Sequence, residues 1–305
     1  MSVLVIGAGE LGTAVIDALV NHPRRSGGRI GVVLRAESIK STDPAKKQSI
    51  EHLRSQGIEI ESGDFANAPR ELIPTFQKYD VVVQAAGMGQ KPGTQLGVAK
   101  AVLEAGVRRF FPWQYGLDYD AIGEGSAQDL FDEQLEVRKL LRSQSKTKWT
   151  IVSTGLFMSF WFLKDFGVVD LEKHTVRALG SWDIRVATTA AEDIGTLVAE
   201  AVYVSGEKGV DGVVYTAGDV LSYGEFADRM DAGLDTKFKR EEWSIPQLEE
   251  KLEQDPTNTM TKYQLVFGRG KGTSWDIDQT LNHQRGLRLT TVADYIQKKK
   301  GDLVI

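Results

Sequence analysis

Residues 2–6 include four consecutive apolar positions, residues 7–12 read as a turn, and residues 13–20 carry apolar side chains at helical spacing. That strand, turn and helix opening recurs. Further apolar strands are expected at residues 30–34, 58–61, 81–85 and 109–111, with helical patterns between them. A longer helix is expected over residues 127–143, capped by Ser126, before a sixth strand at 149–153. Strands alternating with helices predict a doubly wound parallel sheet in an α/β fold, filling residues 1–153. After Thr154 the segments become short, aromatic-rich and punctuated by glycine. Residues 154–305 are therefore expected to be mainly a smaller C-terminal substrate lobe, with some segments returning to the first domain. There the pattern predicts a strand at 213–216, helices at 223–233 and 244–253, and an exposed loop over 252–261 around Pro256.

Composition narrows the chemistry. A net charge of -5 gives no diffuse attraction for nucleic acid or anionic lipid, so neither partner is expected. The absence of Cys removes disulfides and thiolate chemistry, as a reducing compartment would allow. His22, His52, His174 and His283 are scattered without metal-ligand spacing, and no metal site is expected. The first strand starts almost at Met1 and the longest apolar stretch, 156–162, is far below the roughly 20 residues of a membrane span. The expected protein is cytoplasmic, without a leader or anchor, and a monomer or homodimer.

Gly7, Gly9 and Gly12 form G-x-G-x-x-G directly after the first strand and at the start of the first helix. In that context the first glycine serves the turn, the second admits a pyrophosphate and the third lets helix pack on strand. Backbone amides at the helix start, around Glu10 and Leu11, then face the anion. This is the mark of a Rossmann domain binding a dinucleotide. Where an NAD-selective chain would carry an acid after the second strand, this one has Arg35, which selects NADP(H) through the 2'-phosphate. Lys40 is a candidate second cation, and Glu37 a competing partner for Arg35. Ala86 and Gly87, at the end of the fourth strand, are small enough for a cofactor to lie against the sheet edge.

The run from Val107 to Asp118, which contains Phe111-Pro112-Trp113-Gln114-Tyr115-Gly116-Leu117-Asp118, together with Phe131-x-x-x-x-x-Val137-Arg138, resembles the isoflavone reductase-like or NmrA-like group of atypical short-chain dehydrogenases. The resemblance covers nearly the whole chain. It implies an NADP(H)-dependent reductase of aromatic secondary metabolites or a redox-sensing regulator, and in fungal chains a place beside natural-product enzymes. It adds Pro112, Gln134, Gly155 and Phe157 to the cofactor contacts, and places Tyr115 beside the nicotinamide. The chain departs from the group where reductases carry Lys three residues after the helix Phe, because Gln134 stands there. An amide offers a donor and an acceptor but neither takes nor gives a proton at neutral pH.

Leu130, Gln134, Val137 and Leu141 share one helical face, so the amide is expected to turn inward and need a partner, whether backbone, cofactor or substrate. Tyr115 and Asp118 are then the candidate proton donors, with Gln134 as a polar contact. Asp132 and Glu133 suit the positive end of their helix, and Tyr295 with Lys299 reads as a solvated helix face. Trp113, Tyr115, Phe157 and Trp161 are candidate walls for an aromatic or alkaloid-like ligand, with Trp182, Trp243, Tyr263 and Trp275 as candidates to complete the wall. Three functions follow: reduction of C=N or an activated C=C bond, redox-silent iminium cyclisation of the Pictet-Spengler kind with the cofactor as pocket wall, or non-catalytic dinucleotide sensing.

Overall fold

The computed structural model describes residues 1–204 and 210–303. These form two compact units. The first comprises Met1–Gln114, Glu136–Val152 and Ile194–Val214, and the second Tyr115–Leu135, Ser153–Asp193 and the chain from Tyr215 onward.

The first unit holds strands β1 (Val3–Ile6), β2 (Ile30–Leu34), β3 (Glu59–Ser62), β4 (Val81–Gln84), β5 (Arg109–Phe111), β6 (Lys148–Ser153) and β7 (Gly212–Tyr215). Their order is β7-β6-β5-β4-β1-β2-β3, and β1 to β6 pair in parallel. Both faces of β1 are covered, which is why it reads as an uninterrupted apolar run instead of an alternation. The strand order reverses about β1 and β4, creating the crevice at their carboxyl ends where doubly wound sheets bind ligands. Leu4, Phe76, Val82, Val98, Phe110, Val137 and Leu141 belong to the core beneath this sheet.

The six-strand expectation is corrected by β7, which joins the edge of this sheet beside β6. Arg109 explains the join. Its half-buried guanidinium donates to Thr150 Oγ1 at 2.8 Å, to Ala201 O at 2.6 Å and to Val210 O, tying β5 and β6 to the segment entering β7.

The expected helix over 127–143 is also corrected, to Asp132–Arg142. Ala127, Gln128 and Asp129 adopt φ of 44°, 56° and 83°, so the three residues after Ser126 are left-handed and unable to start an α-helix. Lys262 holds them through Asp129 Oδ1 at 2.8 Å and Gln128 O at 3.2 Å. Leu130 consequently lies before the helix and not on its face, whereas Gln134, Val137 and Leu141 are buried as expected.

The second unit has two small sheets. One runs Asp219–Ser222, Arg185–Thr189, Leu156–Phe157 and the other Lys239–Trp243, Thr175–Leu179, Val169–Asp170. Trp161, Phe166, Tyr223, Phe226 and Phe267 build the core between helices and sheets. The expected loop over 252–261 shrinks to residues 255–258. A capping box at Ser244 and Gln247 starts the helix Ile245–Gln254, and Asn258 caps the helix Thr259–Arg269 through the Thr261 amide at 3.0 Å.

Candidate functional site

At the carboxyl end of β1 the backbone turns at Gly7 with φ of +90°, a conformation that L side chains rarely adopt. A Cβ at Gly12 would run into the Gly7 carbonyl, so helix Glu10–Asn21 approaches β1 only through glycine. Gly9 is different: a Cβ there would meet nothing within 4 Å. Its small size keeps open a cavity that it lines, and it is the helix N-cap without any side-chain cap. The helix start thus presents backbone N–H groups and the positive end of its dipole.

The cavity beside this turn measures about 300 Å³. Val33, Ile50, Leu53 and Phe65 give it apolar lining suited to a flat ring, and Arg35, Ser38, Lys46 and Ser49 add polar and cationic groups to the same lining. Arg35 directly follows β2. Lys46 sits in the first turn of Pro44–Ser55, a helix fixed by Pro44 and by Asp43 Oδ1 accepting the Lys46 amide at 2.9 Å. Among the described residues neither Arg35 nor Lys46 forms an ion pair, and Glu37 does not reach Arg35. Lys40, named from sequence as the second cation, is exposed at the end of the short helix Ala36–Ile39 and does not line the cavity. Lys46 lines the cavity with Arg35, and the legible signal for its place was the helix start Asp43-Pro44.

Two turns hold the segments that carry the cavity-lining Phe65 and Gln90. Asp64 accepts from the Ala66 and Asn67 amides and from Asn67 Nδ2 at 2.7 Å; these bonds, with Arg35 nearby, outweigh partial desolvation and hold its carboxyl below the usual range. Lys91 then donates to Asn67 Oδ1 at 2.6 Å, joining this turn to the loop after β4 whose Ala86 and Gln90 line the cavity. Gly87 packs under the Trp113 indole, where any Cβ would collide, and its carbonyl accepts from Gln95. Pro112 is buried beyond β5. Arg138, quoted from sequence only as part of the motif, is fully buried with Nε donating to Gln114 Oε1 at 2.7 Å. Its signals were its place in the Phe131-x-x-x-x-x-Val137-Arg138 motif and an ionic group on a helix otherwise packed with Val137 and Leu141.

In the second unit, Tyr115 is buried, its hydroxyl has no hydrogen-bond partner among the described residues, and burial pushes its phenol up. Asp118 has both carboxylate oxygens engaged: Oδ1 caps the helix Tyr119–Ile122 through Ala121 N, and Oδ2 accepts from Tyr215 at 2.9 Å. The Oδ1 contact is the geometry of a helix cap. Trp161, named as a pocket wall, is instead fully buried core: it stacks on Phe226 at 4.2 Å and donates from Nε1 to Thr188 Oγ1 at 3.2 Å. Phe157 stays half-buried, and Gly155, at φ +69°, packs against the Ala187 backbone where a side chain would not fit.

Gln134 lies in the first turn of its helix, buried, and Asp132 beside it accepts from the Gly125 amide at 2.9 Å. Trp243 is held between the Arg177 and Lys251 cations, Tyr263 sits edge-on to Phe131, and Trp275 lies beside Tyr215. Lys299 pairs with Asp302 on the last helix, away from any Tyr-Lys catalytic arrangement with Tyr295, which stacks on Phe162. Among the described residues there is no group of three potential metal ligands, and no helix is long and apolar enough to cross a membrane.

The sheet order, the glycine turn and the cavity at its carboxyl edge define a Rossmann-type α/β protein. The NmrA-like family model matches residues 1–296, and the chain belongs to that family. It is 47% identical over 298 residues to an NmrA-like family domain-containing oxidoreductase of Gibberella moniliformis, covering 97% of each chain. It is 24% identical to phenylcoumaran benzylic ether reductase Pyrc5 of Pyrus communis, covering 96% of each. Among solved structures, the leucoanthocyanidin reductase–NADPH binary complex from Vitis vinifera superposes with a TM-score of 0.81 at 18% identity, over 100% of this chain and 99% of that one.

Proposed function

We propose that the first unit binds NADP(H) and that the protein is a reductase of an aromatic or alkaloid-like small molecule, acting on a C=N or activated C=C bond. The observation that carries this is that Arg35 and Lys46 line the same cavity as the glycine turn. Two cations without ion-pair partners suit the 2'-phosphate, the apolar lining suits adenine, and the helix start suits the pyrophosphate. The relatives support the reading by their names, an oxidoreductase and a phenylcoumaran benzylic ether reductase.

NADPH supplies a hydride when bound. What the chain's own residues add is limited by Gln134, which can orient a polar group but cannot move a proton. With Asp118 committed to its cap, Tyr115 is the residue assigned to proton transfer, its buried neutral hydroxyl able to donate. Hydride addition to a preformed iminium needs no acid for that step, so Gln134 also fits an imine-reducing enzyme.

Single-turnover absorbance at 340 nm with NADPH, over aromatic carbonyl, alkene and imine substrates, tests the proposal. Substrate-dependent loss of NADPH absorbance with a reduced product by mass is expected. Product formed without that loss, and equally with NADP+, would replace reduction with iminium cyclisation. NADPH binding with no turnover of any substrate would favour a dinucleotide sensor.

A further inference from the structure

The cavity lining contains one residue with no part in the reading above. Ser38 lines the same cavity as Arg35 and Lys46. Its backbone N–H is bound to Arg35 O at 2.9 Å, while its hydroxyl has no hydrogen-bond partner among the described residues. The other serine of this lining, Ser49, is already committed, donating from Oγ to Ala45 O at 2.9 Å inside a three-turn helix. Ser38 belongs to a four-residue helix, Ala36–Ile39, with no buried residue. So short a helix has little cooperative stability and opens cheaply. Arg35 stands three residues before Ser38, which is also the spacing that arginine-directed protein kinases read.

We propose that Ser38 is a phosphorylation site, and that the phosphate placed there occupies Arg35 and Lys46 so that the cavity no longer accepts a cofactor 2'-phosphate. The inference rests on the cavity being the NADP(H) site. In the transfer, the γ-phosphoryl group of a nucleoside triphosphate moves to Ser38 Oγ. The new O–P bond forms as the bond to the β-phosphate oxygen breaks, the hydroxyl proton goes to solvent, and the nucleoside diphosphate leaves. The product carries a charge of about -1.5 to -2 and three acceptor oxygens beside two cations that have no ion-pair partners among the described residues. A second phosphate in the same space then meets both like-charge repulsion and the loss of its donors. Glu37 on the same short helix and Asp64, which feels the Arg35 charge, are anionic and do not help hold a phosphate, while Lys40 at the end of that helix does not line the cavity. NADH lacks the 2'-phosphate and is predicted to be affected far less.

The test uses the full chain with phosphoserine installed at position 38, alongside unmodified protein treated with an arginine-directed kinase and ATP. Mass mapping should place the kinase label on Ser38, and S38A should lose it. Phosphoserine at 38 should raise the Kd for NADPH about a hundredfold while moving that for NADH less than about threefold. The 31P resonance should titrate below the ordinary second pKa of about 6 and return toward it in Arg35→Ala. No label at Ser38, NADPH binding unchanged by phosphoserine, or equal weakening of both cofactors overturns the inference while leaving the NADP(H) reading intact. Unmodified protein that fails to prefer NADPH over NADH overturns that reading, and the inference with it.

Discussion

Arg35 is exposed, yet it lines a cavity with Lys46 and with apolar Val33, Ile50, Leu53 and Phe65, so a phosphate there would be held by charge-assisted hydrogen bonds of about 1.5–3 kcal/mol each. Arg35→Ala is expected to weaken NADPH binding by roughly 10- to 100-fold, with NADH little changed, as read by fluorescence titration. Equal loss for both cofactors would mean that Arg35 shapes the pocket and does not select the phosphate. Tyr115→Phe removes one oxygen from a buried site and should lower the single-turnover rate by about 100-fold or more, without moving the NADPH Kd. An unchanged rate would remove Tyr115 from proton transfer. Both residues were legible in the sequence, Arg35 by its place after β2 and Tyr115 by the motif around it. Lys46 was not, because its place on the cavity depends on which way its helix faces, and Arg138 was legible only as a motif residue, with nothing in the sequence to mark its guanidinium as turned inward toward Gln114.

Elements were legible wherever burial is two-sided. β1, β2 and β4 read as apolar runs because both faces are packed, and their observed limits fall within a residue or so of the expected ones. The start of Asp132–Arg142 was not legible, since Ala127, Gln128 and Asp129 carry no mark of left-handed backbone such as glycine would give. The sheet containing Lys239–Trp243 was also hidden. It pairs in parallel with Thr175–Leu179, far away in sequence, and its mixed burial gives no clear alternation. At the end of the preceding helix, Tyr223–Leu234, Asp231 organises the turn toward this strand. It accepts from Lys237 Nζ at 2.7 Å, Phe238 N at 2.9 Å and Arg240 at 2.8 Å. Desolvation raises its pKa, but these bonds together outweigh it and hold the carboxyl below the usual carboxylate range. A folded pKa below the unfolded one gives stability that is present above about pH 4 and disappears as pH falls through the folded value. Asp231→Asn should therefore be less stable than wild type at pH 6 in urea unfolding, with the gap closing below about pH 4. A gap constant with pH would show that shape, not charge, holds this turn.

For the whole molecule, the cofactor proposal makes a thermodynamic statement that needs no knowledge of the substrate. The first unit has its own core under the seven-stranded sheet, and the glycine turn, Arg35 and Lys46 all belong to it. A ligand that binds this folded unit and not the unfolded chain stabilises it by about 2.7 kcal/mol at one hundred times Kd. In a unit of this size that corresponds to roughly 5–10 °C in its melting temperature. Calorimetric scans with NADPH should show that shift, and with NADH at the same concentration a smaller one, because weaker binding leaves the site further from saturation. Arg35→Ala should bring the two cofactors together by lowering the NADPH shift. Equal shifts in the unsubstituted protein would show that the two cations contribute nothing to recognition. No shift with either cofactor would separate the Rossmann-type architecture from dinucleotide binding altogether.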